Sequence, residues 1–191
     1  MSNRTKGRTK PQIALLRGIN VGGNKKVPMA DLRNLAAGLG WQQVQSYIQS
    51  GNLVFAAEGS GAAAEAALER ELARHFGFSV EVIVRAGADW QRYAAGSPFR
   101  ESQTAWPHRL LLGLSKRPPQ ADAAERLRAY AKAGERIELV GDALWLDFAE
   151  GIGTSKLTPA VLDRAVGSTV TARNWLTVGK LAGMLAEMTD G

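Results

Sequence analysis

The sequence predicts an α+β protein built from two tandem ferredoxin-like halves, each with the order β-α-β-β-α-β, and closed by a C-terminal helix. Three observations carry that prediction. Short apolar runs of strand length alternate with stretches whose apolar residues recur at helical spacing. Two tight-turn sequences, Ser50-Gly51-Asn52 and Gly141-Asp142, each join a pair of such runs. The same order of elements is then met twice along the chain. No sequence identity between the halves is obvious, so the duplication rests on element order alone.

The elements follow in sequence. Gln12–Leu16 reads as a buried strand, and a Gly-rich polar loop, Gly18–Lys26, follows it. Pro28 opens a helix through Leu39, because proline suits the first turn, and Gly40 stops it. Val44–Gln49 and Leu53–Phe55 form a hairpin about Ser50-Gly51-Asn52. Ala62–Phe76 reads as a helix, with Leu68 and Leu72 one turn apart, ending before Gly77; Val80–Val84 is the next strand. A connector with one short helix is expected over Asp89–Pro107. The second half then has a strand at Arg109–Leu114, a helix at Pro119–Ala133, and a hairpin of Ile137–Val140 with Leu144–Phe148. A helix at Pro159–Val166, a strand at Thr169–Ala172 and a final helix at Trp175–Met188 complete it. The expected organisation is a disordered basic tail at 1–10, an N-terminal half at 11–88, a connector at 89–106 and a C-terminal half with its terminal helix at 107–191.

At 191 residues a folded chain hides roughly 70% of its unfolded surface, so a hydrophobic core forms without covalent staples. The sequence has no cysteine, which removes disulfides, thiolate nucleophiles and Cys-ligated zinc; a cytoplasmic location is the expectation. Arg4, Lys6, Arg8 and Lys10 are not followed by an apolar signal core, since Ile13–Leu16 is broken by Arg17. No apolar run reaches the roughly 20 residues that a spanning helix needs, so no membrane partner is expected. The net charge of +6 is unevenly placed. Residues 1–10 carry four basic and no acidic groups, residues 11–100 nine against seven, and residues 101–191 eleven against eleven. Most of the basicity therefore belongs to the tail, which weakens it as an argument for nucleic acid.

In a ferredoxin-like half the first and third strands run antiparallel as neighbours. The end of the first strand then lies beside the start of the third, so Arg17 and Gly18 are expected next to Gly51 and Asn52. The loop Arg17-Gly18-Ile19-Asn20-Val21-Gly22-Gly23-Asn24-Lys25-Lys26 would bring three cations, three glycines and two amides to one rim with Gln49, Ser50 and Asn52. Glycines allow backbone N–H groups to converge on an anion, and the helix opening near Pro28 adds a positive field of about 0.3–1 kcal/mol. The same residues also suit an ordinary solvated loop. Gly18 and Gly23 have the spacing of a phosphate-binding P-loop, but Asn24 stands where its lysine is needed, which disfavours a nucleoside-triphosphatase.

Two further polar clusters stand near the C-terminus. Gly151-Ile152-Gly153-Thr154-Ser155-Lys156 leads into a helix whose cap is Thr154 or Thr158. Ser155 and Lys156 are adjacent and lack Ser-x-x-Lys spacing, so a serine nucleophile with a lysine base is disfavoured. In Thr171-Ala172-Arg173-Asn174-Trp175, Asn174 reads as a cap, Trp175 as core, and Arg173 as the residue to touch a ligand. His75 and His108 are isolated and give no metal-ligand spacing, so no metal and no cofactor is expected. Glu65, Glu69 and Glu125 read as solvated helix faces, and no carboxylate pair stands out as acid and base. The residues disclose no reaction, and whether the protein is an enzyme stays open.

Arg-Gly-Ile-Asn-Val-Gly-Gly at 17–23, Val27-Pro28-Met29 and Tyr47-Ile48-Gln49-Ser50-Gly51-Asn52 closely resemble the bacterial family known as domain of unknown function 1697. The resemblance continues through Ser97-Pro98-Phe99, where the family commonly has Asn-Pro-Phe, and through Gly153–Leu157 and Thr171–Trp175. It implies the duplicated ferredoxin-like architecture and brings no established activity.

The favoured function is binding of a small anionic or phosphorylated ligand, such as a nucleotide, by Arg17, Gly18, Asn20, Gly22, Gly23, Lys25, Lys26, Gln49, Ser50 and Asn52, with Ser155, Lys156, Arg173 and Asn174 as further candidates. One alternative is single-stranded nucleic-acid binding, although Gln12–Leu16 offers no aromatic for base stacking and only Phe55 and Trp145 are available. The other is an interaction protein whose polar loops are only turns. The oligomeric state is not legible.

Overall fold

The computed structural model describes residues 9–189. The expected basic tail at 1–10 lies outside the described residues except for Thr9 and Lys10, and Lys10 opens the first strand. The chain divides into two compact units, one formed by the described residues through Ala88 with those from Gly183 onward, the other by Asp89–Ala182.

The first unit begins with β1 (Lys10–Leu16), α1 (Met29–Gly38), β2 (Gln42–Tyr47), β3 (Asn52–Ala57), α2 (Gly61–Phe76) and β4 (Val82–Ala86). Its strands form an antiparallel sheet in the order β2-β3-β1-β4. Alternation along β1 sends Ala14 and Leu16 into a core with Leu53, Phe55, Val82 and Val84, onto which Leu32 and Ala36 of α1 and Leu68 and Leu72 of α2 pack. Trp41 stacks on Phe55 at 3.9 Å between ring centroids, inside the same core. Ser60 caps α2 by accepting from Ala63 N–H, and Gly77 ends it in the left-handed conformation.

The second unit starts with α3 (Gly87–Ala94), which follows β4 without a break and whose first two residues belong to the first unit. Then come α4 (Ser102–Ala105), β5 (Leu110–Ser115), α5 (Ala123–Arg128), β6 (Arg136–Val140), β7 (Ala143–Asp147), α6 (Pro159–Val166), β8 (Val170–Asn174) and α7 (Trp175–Thr189), whose last turns belong to the first unit. Its antiparallel sheet has the order β6-β7-β5-β8. Ile137, Leu144, Leu146 and Val170 from that sheet form a core with Leu127 of α5 and Leu162 and Val166 of α6. Thr158, one of the two expected caps, accepts from Val161 N–H, and Pro159 occupies the first turn.

Three expectations are corrected. The connector holds two helices, α3 and α4, rather than one. The helix expected over Pro119–Ala133 is confined to Ala123–Arg128, and the segment before it is tied to the end of α6 by Gln120 N–H donating to Val166 O at 3.2 Å. Glu65 and Glu69 are not solvated ornaments of α2. Their carboxylates accept from Val84 N–H at 2.8 Å and Val82 N–H at 2.9 Å, satisfying donors on the free side of edge strand β4. The second unit uses the same device, with Asp163 of α6 accepting from Val170 N–H on edge strand β8 at 2.9 Å. Among the described residues, no helix is long and apolar enough to cross a membrane.

The β2–β3 turn carries a strained residue. Ile48 has φ +50°, a conformation that a β-branched side chain tolerates poorly, and it is 49% exposed, so packing does not hold it there. Ile48→Asn is expected to raise stability by about 0.5–1 kcal/mol, since asparagine accepts left-handed geometry at lower strain. Urea denaturation checks this, and a loss of stability would show that Ile48 makes a contact its exposure conceals.

Candidate functional site

The end of β1 does lie beside the start of β3. Leu15 pairs with Asn52 in register, and Leu16 N–H donates to Gly51 O at 2.8 Å. The following loop folds back on itself as a small hairpin. Asn20 N–H donates to Lys25 O at 3.1 Å, Asn24 N–H donates to Val21 O at 3.1 Å, and Val21 and Asn24 bridge. Gly22 and Gly23 form the tip at φ +60° and +77°, the pair of positive angles that a type I′ turn requires and glycine supplies without strain.

Asn20 is the brace of this loop. Its Nδ2 donates to Val27 O at 3.0 Å and to Gln49 O at 2.8 Å, while its Oδ1 accepts from Val27 N–H at 2.8 Å. One side chain thus ties the loop to the start of α1 and to the β2–β3 turn, 29 residues away. Asn52 is fully buried and donates to Tyr47 O at 2.9 Å and Ser50 Oγ at 3.2 Å, fixing the turn from inside. Both amides therefore serve the scaffold.

The cations are distributed differently. Arg17 stands 3.9 Å from the Glu81 carboxylate, and its N–H donates to Glu81 O at 2.9 Å. Lys25 Nζ donates to Ser79 O at 2.7 Å. Gly18, Val21–Lys26 and Gln49 are exposed, and Ser50 is half-buried. Helix α1 begins directly after this loop with Pro28 at its cap position, and no side chain caps it. The first-turn N–H groups of α1 thus lie next in the chain to Lys25 and Lys26, with Asp31 as the acidic residue of that turn.

In the second unit the polar clusters are put to other uses. Ser155 Oγ donates to Glu135 through a short hydrogen bond and accepts from Leu157 N–H at 3.1 Å. Burial alone would raise the Glu135 carboxyl, but the bonds from Ser155 and from Ala133 N–H outweigh it and hold it below the usual range. Ser155 is therefore a loop tie, and Lys156 beside it is exposed. Arg173 is buried on β8, where it donates to Thr171 Oγ1 and Ala172 O, both at 2.9 Å. Burial pushes its guanidinium down to about 10, which leaves it charged at neutral pH. The residue expected to meet a ligand is an interior one. Asn174 caps α7, as its position suggests, by accepting from Thr177 N–H at 2.9 Å. Ser155 is bonded beside β6 and Arg173 lies on β8, the two edge strands of one sheet. At about 4.8 Å per strand those edges stand roughly 14 Å apart.

Trp145 is 2% exposed and packs against Trp175 at 5.9 Å between ring centroids, so it offers no open stacking platform. A polar cluster that residue patterns did not flag lies nearby. Asp147, fully buried, accepts from Arg136 Nε at 2.8 Å and Nη2 at 2.5 Å, from Trp106 Nε1 at 2.7 Å and from Ser102 Oγ at 3.1 Å. Arg136 also pairs with Glu101 at 2.5 Å and lies over the Phe99 ring, so α4 and the Ser97-Pro98-Phe99 segment are latched to β6 and β7. Hydrogen bonds to Asp147 and Glu101 hold the Arg136 guanidinium above its ordinary value. The hydrogen-bond partners of Asp147 all come from within the fold, which marks the cluster as a structural latch. Glu81, Ser79 and Glu135, the partners of the predicted site residues, were not foreseeable from spacing. Among the described residues no group of three or more metal-ligating side chains is gathered.

Fold and site together define a class: a two-sheet α+β protein with an internally braced, cation-bearing hairpin loop between its first strand and first helix. Residues 10–145 match the family model "Protein of unknown function (DUF1697)", and the chain belongs to that family. No curated protein matches it. The solved structure of conserved bacterial protein SP0830 from Streptococcus pneumoniae is similar, with a TM-score of 0.71 and 26% identity over 93% of this chain and 99% of that one.

Proposed function

We propose that the protein binds a small anion bearing phosphate, of the nucleotide class, at the rim formed by the Arg17–Lys26 loop, the Gln49–Asn52 turn and the start of α1. The observation that carries this reading is the uncapped first turn of α1 placed directly after two exposed lysines. Unsatisfied helix N–H groups and adjacent cations are what a phosphate needs. Asp31 offsets part of the helix field, so Lys25 and Lys26 supply most of the attraction. Asn20 acts by fixing the loop rather than by touching the ligand. Ser155, Lys156, Arg173 and Asn174 are left out of this site.

The same proposal reads the chain as a cytoplasmic protein of two ferredoxin-like halves, 11–88 and 107–191, joined at 89–106. The matching strand orders and the shared use of a helix carboxylate on each last strand support a duplication. A second reading is favoured by Val21 and Ile48, exposed at 66% and 49% on the two segments that Asn20 joins, because exposed aliphatics at a rigid tip suit contact with another protein.

Thermal-shift measurements with nucleotides, inorganic phosphate and phosphorylated metabolites test the anion reading. A ligand at about 100 times its Kd is expected to add about 2.7 kcal/mol and raise Tm by roughly 5–10 °C. The shift should shrink in Lys25→Ala, Lys26→Ala and Arg17→Ala variants and at high salt. No stabilisation by any anion, or an equal response in all three variants, would leave the protein-contact reading in its place.

A further inference from the structure

We propose that a groove between α5 and α6 is a second binding site, for a small organic anion with a compact apolar body. The groove has a volume of about 330 Å³ and is lined by Arg126, Ala129, Tyr130, Val161, Arg164 and Ala165. That volume stands at the lower end of small-molecule sites and is too small for a docked helix. All of the lining lies in the second unit, on two segments that also hold its core through Leu127, Leu162 and Ala165.

The chemistry is divided between floor and rim. Ala129, Val161 and Ala165 supply methyl groups, and the two alanines leave open the space that a longer aliphatic side chain would fill. Tyr130 remains 39% exposed, presenting a flat ring on which an apolar body can lie. Arg126 comes from α5 and Arg164 from α6, so one guanidinium arrives from each segment. Arg126 is paired with Asp122 at 2.7 Å, whereas Arg164 is exposed and forms no ion pair among the described residues. The groove therefore carries one uncompensated cation. Helix dipoles account for arginine in the last turn of each helix, but not for both lining one apolar groove beside an exposed tyrosine. A carboxylate or sulfonate matches the guanidinium fork, and the groove's walls match a ring of one or two fused cycles. This site is independent of the loop proposed above.

The test is a titration of the full-length, ¹⁵N-labelled protein with 1-naphthylacetate, and in parallel with its neutral amide, 1-naphthylacetamide. Saturable shifts confined to residues 123–130 and 159–166 are expected, with the amide weaker by about tenfold, the loss of one charge-assisted contact. Arg164→Ala should weaken the acid to the level of the amide. Val161→Phe, which fills the groove while retaining an apolar group, should abolish binding of both. The proposal is overturned by absence of a saturable shift at millimolar probe, by shifts centred elsewhere, by equal affinity for acid and amide, or by unchanged binding in Arg164→Ala.

Discussion

Arg136→Met is expected to destabilise the second unit by about 1–3 kcal/mol, the penalty for leaving the buried Asp147 carboxylate without its charged donor, since Arg136 itself is 43% exposed and partly screened by water. The reason is the position of Asp147. Its side chain has no solvent exposure, and two of its four hydrogen bonds come from Arg136. With methionine in place, Ser102 Oγ and Trp106 Nε1 remain as neutral donors to the buried carboxylate. The latch on Glu101 and Phe99 is lost in the same step, so α4 should loosen as well. The double variant Arg136→Met/Asp147→Leu removes the stranded charge and should recover part of the loss, giving a coupling energy above about 1 kcal/mol in a double-mutant cycle. Urea denaturation followed by tryptophan fluorescence reads both effects. A loss below about 1 kcal/mol for the single variant would show that the cluster is surface ornament.

Gly51→Ala should cost about 2–5 kcal/mol. Gly51 sits at φ +81°, and a methyl group placed there meets Ile19 Cδ1 at 2.6 Å and Leu16 Cβ at 2.8 Å. The Ile19 contact involves a side-chain end that can move. Leu16 Cβ cannot, because Leu16 is a core residue of β1 whose N–H is bonded to Gly51 O. Left-handed strain of about 1–2 kcal/mol adds to overpacking of about 1–3 kcal/mol. Gly22→Ala is the matched comparison. It has a similar angle, φ +60°, with nothing within 4 Å of the added carbon, so only the strain remains. Equal losses for the two variants in chemical denaturation would refute the steric argument. Since the Gly51 turn also holds Gln49 O against Asn20, Gly51→Ala should release the loop and reduce any anion response as well.

Much of the architecture was legible because its signals are local. Thr158 and Pro159 open α6, and Gly77 closes α2, through chemistry confined to a single helical turn. The neighbourhood of Arg17 and Gly51 was legible too, because the proposed strand order fixes which strand ends adjoin. The truncation of α5 was not, since periodicity does not show that the segment before it is tied to Val166 through Gln120 N–H. Nor was the second connector helix, whose place is fixed by the Asp147 latch acting across 45 residues at Ser102.

The sequence by itself determined where most strands, helices and turns fall, which glycines stand at sharp turns, and which polar residues cluster along the chain. Those features follow from periodicity and steric preference over a few residues. Only the tertiary structure decided what the polar groups do. Asn20 bonds to Gln49 and Lys25 to Ser79, while Glu65 serves Val84 and Ser155 serves Glu135, with separations of 29, 54, 19 and 20 residues. A buried polar group must find a partner, but spacing does not say which strand end or helix face will supply it. The loop that opens after β1 thus keeps its lysines and glycines at the surface, while its asparagine has been taken up by the fold.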